Sequence, residues 1–227
     1  MAHVVPTPAT PIVPVEGGGE FPVRRIFCVG RNYADHAREM GGDPTREAPV
    51  FFTKPADAVT SAAAIPYPSL TQDLHHEIEL VVALGQGGRN IAAANAQAHV
   101  FGYAVGLDLT RRDLQAAAKA RGMPWDMAKG FDNSAPIAPI TRADQTQPLT
   151  RGEIWLKING QTRQSGDLAD MIWSIPEVIA ELSRYVALQP GDLIFTGTPA
   201  GVNRIEPGDE LHGHVAGLAD LQLRIGG

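Results

Sequence analysis

Glu77 and Glu79 stand two residues apart at the head of the apolar run Leu80-Val81-Val82-Ala83-Leu84. On a β-strand, residues two apart share a face, so both carboxylates project together, with Val81 and Ala83 behind them. That face turns into protein, where neighbouring carboxylates repel each other unless a cation holds them. A half-exposed strand with two solvated glutamates is the plain alternative. Asp108, near the end of the run from Tyr103 to Leu109, adds a third carboxylate that would be costly if buried alone; a strand end or a helix cap is the alternative there. Three oxygen donors with no nearby cysteine suit Mg2+ or Mn2+, which keep positions open for water and substrate, better than zinc. His75 and His76 precede the glutamates, but neighbours on a strand face opposite ways, and neither is favoured as a ligand. His36 and Glu39 have i, i+3 spacing and meet on one face of a helix. A carboxylate beside an imidazole orients it and raises its basicity, as a general base requires; a lone pair of this kind is otherwise an exposed ion pair.

The elements that must position these groups are mostly strands. Arg24 to Val29, Val50 to Thr53, Glu77 to Leu84 and Val100 to Leu109 have strand character. Asn32 is placed to cap a short helix over Tyr33 to Met40, stopped by Gly41-Gly42. Ala93 to His99 suggests another short helix. Thr110-Arg111-Arg112-Asp113 has capping-box spacing and opens a helix to about Arg121. Asn159-Gly160, between Glu153 to Ile158 and Gln161 to Gln164, is a strong hairpin signal. Ser174-Ile175-Pro176-Glu177 is a capping box with proline in the first turn, and its helix should reach about Val186. Pro-Gly-Asp turns at 190–192 and 207–209 open strands over Leu193 to Thr196 and Glu210 to Val215, and Leu221 to Ile225 follows. No βαβ alternation dominates, so the expected fold class is a β-rich α+β fold.

The whole chain has 227 residues, 44% hydrophobic and 19% charged, enough for one substantial core. A net charge of -6 gives no basic footprint for nucleic acid. No run of about 18 apolar residues predicts a membrane helix, and the N-terminus lacks the basic start and apolar run of a signal peptide. The single cysteine, Cys28, can form neither an internal disulfide nor a thiolate cage and reads as a small core residue, in keeping with a cytoplasmic setting. Residues 1–22, with Pro6, Pro8, Pro11, Pro14 and Pro22, read as an extended Pro-rich arm laid over the surface or a partner subunit, which leaves residues 23–227 as the main domain. No Gly-x-Ser-x-Gly and no P-loop occurs.

Six fragments occur in a telling order: Gly30-Arg31-Asn32-Tyr33-Ala34-Asp35-His36, Phe52-Thr53-Lys54-Pro55, His76-Glu77-Ile78-Glu79, Gly106-Leu107-Asp108, Lys129-Gly130-Phe131-Asp132 and Thr196-Gly197-Thr198-Pro199-Ala200-Gly201-Val202. From about residue 23 onward the chain resembles the fumarylacetoacetate hydrolase family, and within it the acylpyruvate hydrolase branch, most of all bacterial fumarylpyruvate hydrolases of gentisate breakdown. The resemblance implies a β-rich α+β roll, a homodimer, and Mg2+ or Mn2+ on Glu77, Glu79 and Asp108. It implies that His36 and Glu39 activate water. It places Arg112, Gln115, Lys129 and Thr198, with Lys54 as a weaker match, against a small 2-oxo acid.

These parts suit hydrolysis of a 2,4-dioxo acid: water activated by His36 and Glu39 attacks the 4-carbonyl, the C–C bond breaks, and donors such as Lys129 sit near the developing oxyanion. Arg31, Arg111 and Arg112 are candidates for a second substrate carboxylate, with room for one or two of them at the site. Oxaloacetate decarboxylation or 2-oxo-alkenedioate isomerisation on the same metal site, and a non-catalytic metabolite-binding protein, are the rivals. No nucleic-acid or membrane partner is expected.

Overall fold

The computed structural model describes residues 3–34 and 47–227. Two β-sheets carry the fold. The larger has six strands in the order Thr141–Arg142, Val100–Leu107, Ile78–Leu84, Asp192–Phe195, Arg25–Gly30 and Val50–Lys54. The second has five, in the order Gln161–Asp167, Glu153–Ile158, Glu210–Val215, Leu221–Gly226 and Ala64–Pro66. Neighbours pair antiparallel except Asp192–Phe195 with Arg25–Gly30 and Leu221–Gly226 with Ala64–Pro66, which run parallel. The α-helices bounded within the described residues are short: α1 (Arg112–Ala120), α2 (Asp126–Lys129) and α3 (Ile175–Tyr185).

The strand Ile78–Leu84 is buried at every position because both faces of its sheet are covered. Ile78, Leu80, Val82 and Leu84 join the core shared with Ile154, Leu156, Leu211 and Val215 of the five-stranded sheet. Val81 and Ala83 pack into a second cluster with Ile26, Cys28, Leu193 and Phe195. Contact between the sheets is close at Gly213, where an added Cβ would lie 2.6 Å from Ile78 Cδ1. By strand alternation Glu79 shares the face of Val81 and Ala83, as the sequence suggests.

Several local expectations hold. Asn159 (φ 50) and Gly160 (φ 78) form the left-handed turn of the Glu153–Ile158 hairpin. The Ser174–Glu177 capping box opens α3, with Glu177 Oε2 accepting from both the Ser174 amide (3.0 Å) and its hydroxyl (2.7 Å). Cys28 is buried.

Two others do not. The N-terminal arm is only partly an arm: Ile12–Pro14 and Glu20–Pro22 pair as a hairpin, and Val13, Val15 and Phe21 are buried in the second cluster. Apolar alternation overrides the proline content here, since Pro14 and Pro22 sit at strand ends where a missing N–H is tolerated. Residues 3–10 remain exposed. The helix expected over Tyr33 to Met40 lies mostly outside the described residues; within them, the Asn32 carboxamide donates to Trp173 O (2.9 Å) and Thr196 O (2.7 Å) and accepts from Trp173 N (2.7 Å). Thr110 pairs with His75 in a two-residue strand instead of capping α1, and Asp113 accepts from Thr71 Oγ1 (2.8 Å) and the Gln72 amide (3.0 Å). Long-range partners take the Thr110 backbone and the Asp113 carboxylate, while the Thr110 hydroxyl donates to Asp108 O at 3.1 Å.

Candidate active site

Two antiparallel strands bring the acidic groups together. Ile78 faces Leu107 in the register, so Glu77 and Asp108 flank the same end of the pair, joined by the bond from the Asp108 amide to Glu77 O (2.9 Å). Glu79 lies opposite Gly106. One carboxylate oxygen from each of Glu77, Glu79 and Asp108 lies within 4.8 Å of the others, and among the described residues this is the one such cluster of possible metal ligands. All three residues are buried. Neither His75 nor His76 joins them: His75 Nε2 is 3.0 Å from Asp73 Oδ1, and His76 Nδ1 is 2.8 Å from Gln164 Oε1.

Three cations brace the carboxylates. Lys129, at the end of α2, places its ammonium 2.9 Å from Glu77 Oε2 and 2.7 Å from Asp108 Oδ2. Lys54, at the end of Val50–Lys54, pairs with Asp108 Oδ1 at 2.8 Å. Arg112, the first residue of α1, pairs with Glu77 Oε1 and donates to Gln115 Oε1 at 2.6 Å. Glu79 differs from its neighbours: its Oε2 accepts from the Gly197 amide at 2.7 Å. Gly197 can make that contact because it holds a left-handed backbone (φ 98), with Asn32 so close that a Cβ would lie 2.7 Å from its Cβ. Burial, then the charges of Asp108 and Glu77, hold the Glu79 carboxyl well above its usual range. Burial pulls the Lys129 ammonium down, but Asp108 and Glu77 outweigh it and leave the group above its usual value.

This donor set fits a hard divalent cation. Three carboxylates converge, one of them without an ion pair to a cationic side chain among the described residues, and the cluster holds no soft ligand.

A pocket opens onto the cluster. Arg31, Gln115, Thr198, Arg112 and Lys129 line it with the three carboxylates. Arg31 holds a left-handed backbone there (φ 59), a conformation that costs a non-glycine residue about 1–2 kcal/mol. One expected substrate contact falls elsewhere, and of the three candidate arginines two reach the pocket. Lys54 does not line the pocket; its ammonium is fully buried and also bonds to Leu109 O at 3.1 Å and to Lys129 O. Its role is to brace Asp108 from behind. Arg111 turns away, donating to Met127 O (3.1 Å) and stacking 4.4 Å from the Phe131 ring centroid. His36 and Glu39 lie outside the described residues.

The pocket also holds Lys119 and Trp125, which the motifs do not contain. A signal for Lys119 existed: Arg112, Gln115 and Lys119 recur at i, i+3 and i+7 on one face of α1. The Lys119 ammonium lies 5.1 Å from the Trp125 ring centroid, and burial, then Arg112, Arg31 and Lys129, lower its pKa.

With carboxylates, braces and pocket in place, the chain belongs to the fumarylacetoacetate hydrolase family: the family model Fumarylacetoacetate (FAA) hydrolase C-terminal matches residues 25–226. It is 48% identical to the fumarylpyruvate hydrolase of Pseudomonas aeruginosa, whose crystal structure in complex with Mn2+ and pyruvate superposes with a TM-score of 0.96 over 99% of both chains. A putative fumarylpyruvate hydrolase from Burkholderia cenocepacia is 56% identical, with a TM-score of 0.93 over 100% of this chain and 99% of that one. The chain is also 40% identical, over 89% of its length and 91% of the relative's, to human mitochondrial oxaloacetate tautomerase FAHD1. No helix among the described residues is long and apolar enough to cross a membrane.

Proposed function

We propose that this protein hydrolyses the C–C bond of a 2,4-dioxo acid, with 3-fumarylpyruvate giving fumarate and pyruvate in gentisate catabolism. The observation that carries this reading is the convergence of Glu77, Glu79 and Asp108 at the floor of a cation-lined pocket. The likeness to a fumarylpyruvate hydrolase that binds Mn2+ and pyruvate supports it. Mg2+ or Mn2+ on the three carboxylates supplies Lewis acidity to the 2-oxo acid head. Arg112 and Lys129 neutralise the carboxylates and offer N–H donors to an oxygen on which negative charge develops. Thr198 and Gln115 orient the head, and Arg31 stands at the pocket for the distal carboxylate. His36, with Glu39 behind it, takes a proton from the attacking water. The water oxygen bonds to C4, the C3–C4 bond breaks, and its electron pair stays with C3, which is then protonated to give pyruvate. A homodimer in the cytoplasm is part of the same proposal.

A second reading, oxaloacetate tautomerisation or decarboxylation, is favoured by the 40% identity to oxaloacetate tautomerase FAHD1 and to the oxaloacetate decarboxylase of Dictyostelium discoideum. It uses the same head-binding groups and needs no nucleophilic water. The deciding experiment measures kcat/KM for fumarylpyruvate, acetylpyruvate and oxaloacetate with each metal at one pH. Fumarylpyruvate is expected to be fastest; a clear preference for oxaloacetate would hand the assignment to the second reading.

A further inference from the structure

Gln164 lies in the strand Gln161–Asp167, is buried, and does not line the pocket. Its carboxamide has four partners. Oε1 accepts from the Ile78 amide at 3.0 Å and lies 2.8 Å from His76 Nδ1. Nε2 donates to Thr198 Oγ1 and to Pro199 O, both at 2.8 Å. The orientation of the amide follows from its two backbone partners. The Ile78 N–H can only donate, and the Pro199 carbonyl can only accept. A flipped amide would set two donors together at one end and two acceptors at the other.

A consequence follows for Thr198. Its hydroxyl oxygen accepts from Gln164, so its own proton remains to be given elsewhere, and no described residue accepts it. Thr198 is buried and lines the pocket beside Glu79 and Lys129. The same carboxamide ties Thr198 to the Ile78 amide, which lies between two of the three candidate metal ligands.

We infer that Gln164 is a positioning residue: it fixes the polarity of the Thr198 hydroxyl, making it a hydrogen-bond donor to an oxygen of the bound 2-oxo acid. The inference rests on the 2-oxo-acid reading of the pocket. A neutral amide does this without adding charge next to three carboxylates. A glutamate of the same shape would reverse it, because its oxygens accept only and would draw the Thr198 proton away from the pocket.

The test is calorimetric titration of the Mn2+-loaded protein with oxalate, a planar mimic of a 2-oxo acid head, in wild type, Gln164→Glu, Thr198→Val and the combined variant. Gln164→Glu and Thr198→Val are each expected to weaken oxalate binding roughly tenfold or more, the scale of a hydrogen bond to a charged group. Mn2+ affinity and melting temperature should stay near those of wild type. The combined variant should lose no more than the weaker-binding single variant, since both act through one hydroxyl. Thr198→Ser should keep wild-type affinity. A new charge acting by repulsion alone would weaken binding just as much in the Thr198→Val background, and that outcome overturns the inference. So does unchanged affinity in Thr198→Val. Should Gln164→Glu fail to fold, Gln164→Met serves in the same cycle, its effect again expected to vanish in the Thr198→Val background. Wild-type protein that binds no oxalate at saturating Mn2+ overturns the pocket reading itself, so the two failures are distinguishable.

Discussion

The strand Asp192–Phe195 has a buried carboxylate at each end, and the two are treated differently. At its start, Asp192 is fully buried and accepts from Arg24 Nη1 (3.2 Å), Arg25 Nε (3.1 Å), Arg25 Nη2 (2.8 Å) and the Gln189 amide (2.9 Å). The protein alone completes its coordination. Just past the other end, the Gly197 amide meets Glu79, which faces two further carboxylates. Burial of an acid is therefore not itself a mark of function. What separates the scaffold from the site is whether the protein finishes the job of neutralising the charge.

That contrast can be broken by experiment. The largest effect should come from chelation: exhaustive EDTA treatment is expected to abolish turnover, and Mg2+ or Mn2+ to restore it. Glu77→Ala, Glu79→Ala and Asp108→Ala should each weaken metal binding in calorimetry while the protein stays folded by circular dichroism. Full activity in metal-analysed, metal-free protein would erase the distinction between the two ends.

Next in size is His36→Ala, with hydrolysis expected to fall roughly 10²–10⁴-fold, as for loss of a general base. Decarboxylation of oxaloacetate, needing no activated water, should fall less. Equal losses in stopped assays of both reactions would remove the case for a separate water-activating pair.

Asp192→Ala should do the reverse of the site variants. It strands two arginines, but both are partly exposed and can turn to water, so the cost should lie near about 3 kcal/mol, the lower end for a broken buried pair. Denaturant titration reads that loss, and kcat/KM of the folded enzyme should be unchanged. A collapse of kcat/KM without a stability loss would move Asp192 into the site.

The smallest effect concerns Lys119, near the pocket mouth with Arg31. Lys119→Ala should lower the preference for fumarylpyruvate over acetylpyruvate about two- to fivefold, the worth of a solvent-exposed ion pair. The ratio of kcat/KM values measures it, and an unchanged ratio would assign the distal carboxylate elsewhere.

The carboxylate cluster was legible in sequence because Glu77 and Glu79 obey the two-residue period of a strand and Asp108 ends the neighbouring strand. The Ser174 cap and the Asn159-Gly160 turn were legible for the same reason: their partners lie within a few residues. Asp192 was not. Its Pro-Gly-Asp context reads as a turn, while its guanidinium partners are 167 and 168 residues away. Lys54 looked like a substrate contact because its motif neighbours the site, yet its ammonium ends behind Asp108. Gln164 gave no signal either, as it acts through Ile78, 86 residues before it, and Thr198, 34 residues after it. Thr110 misled because a local capping pattern says nothing of a distant competitor.

The placement of Asp192–Phe195 also bears on how the chain acquires this fold. The strand slots between Ile78–Leu84 and Arg25–Gly30, so the central position of the six-stranded sheet is filled by a late segment of the polypeptide. Until that segment leaves the ribosome, both flanking strands present unpaired edges, which are templates for aggregation. Pairings so distant in sequence carry a large loop-closure cost and slow the search for the native state. The strand that delivers Gly197 to Glu79 is thus also the one that closes the centre of the sheet, so the active centre and the sheet depend on the same late segment of sequence.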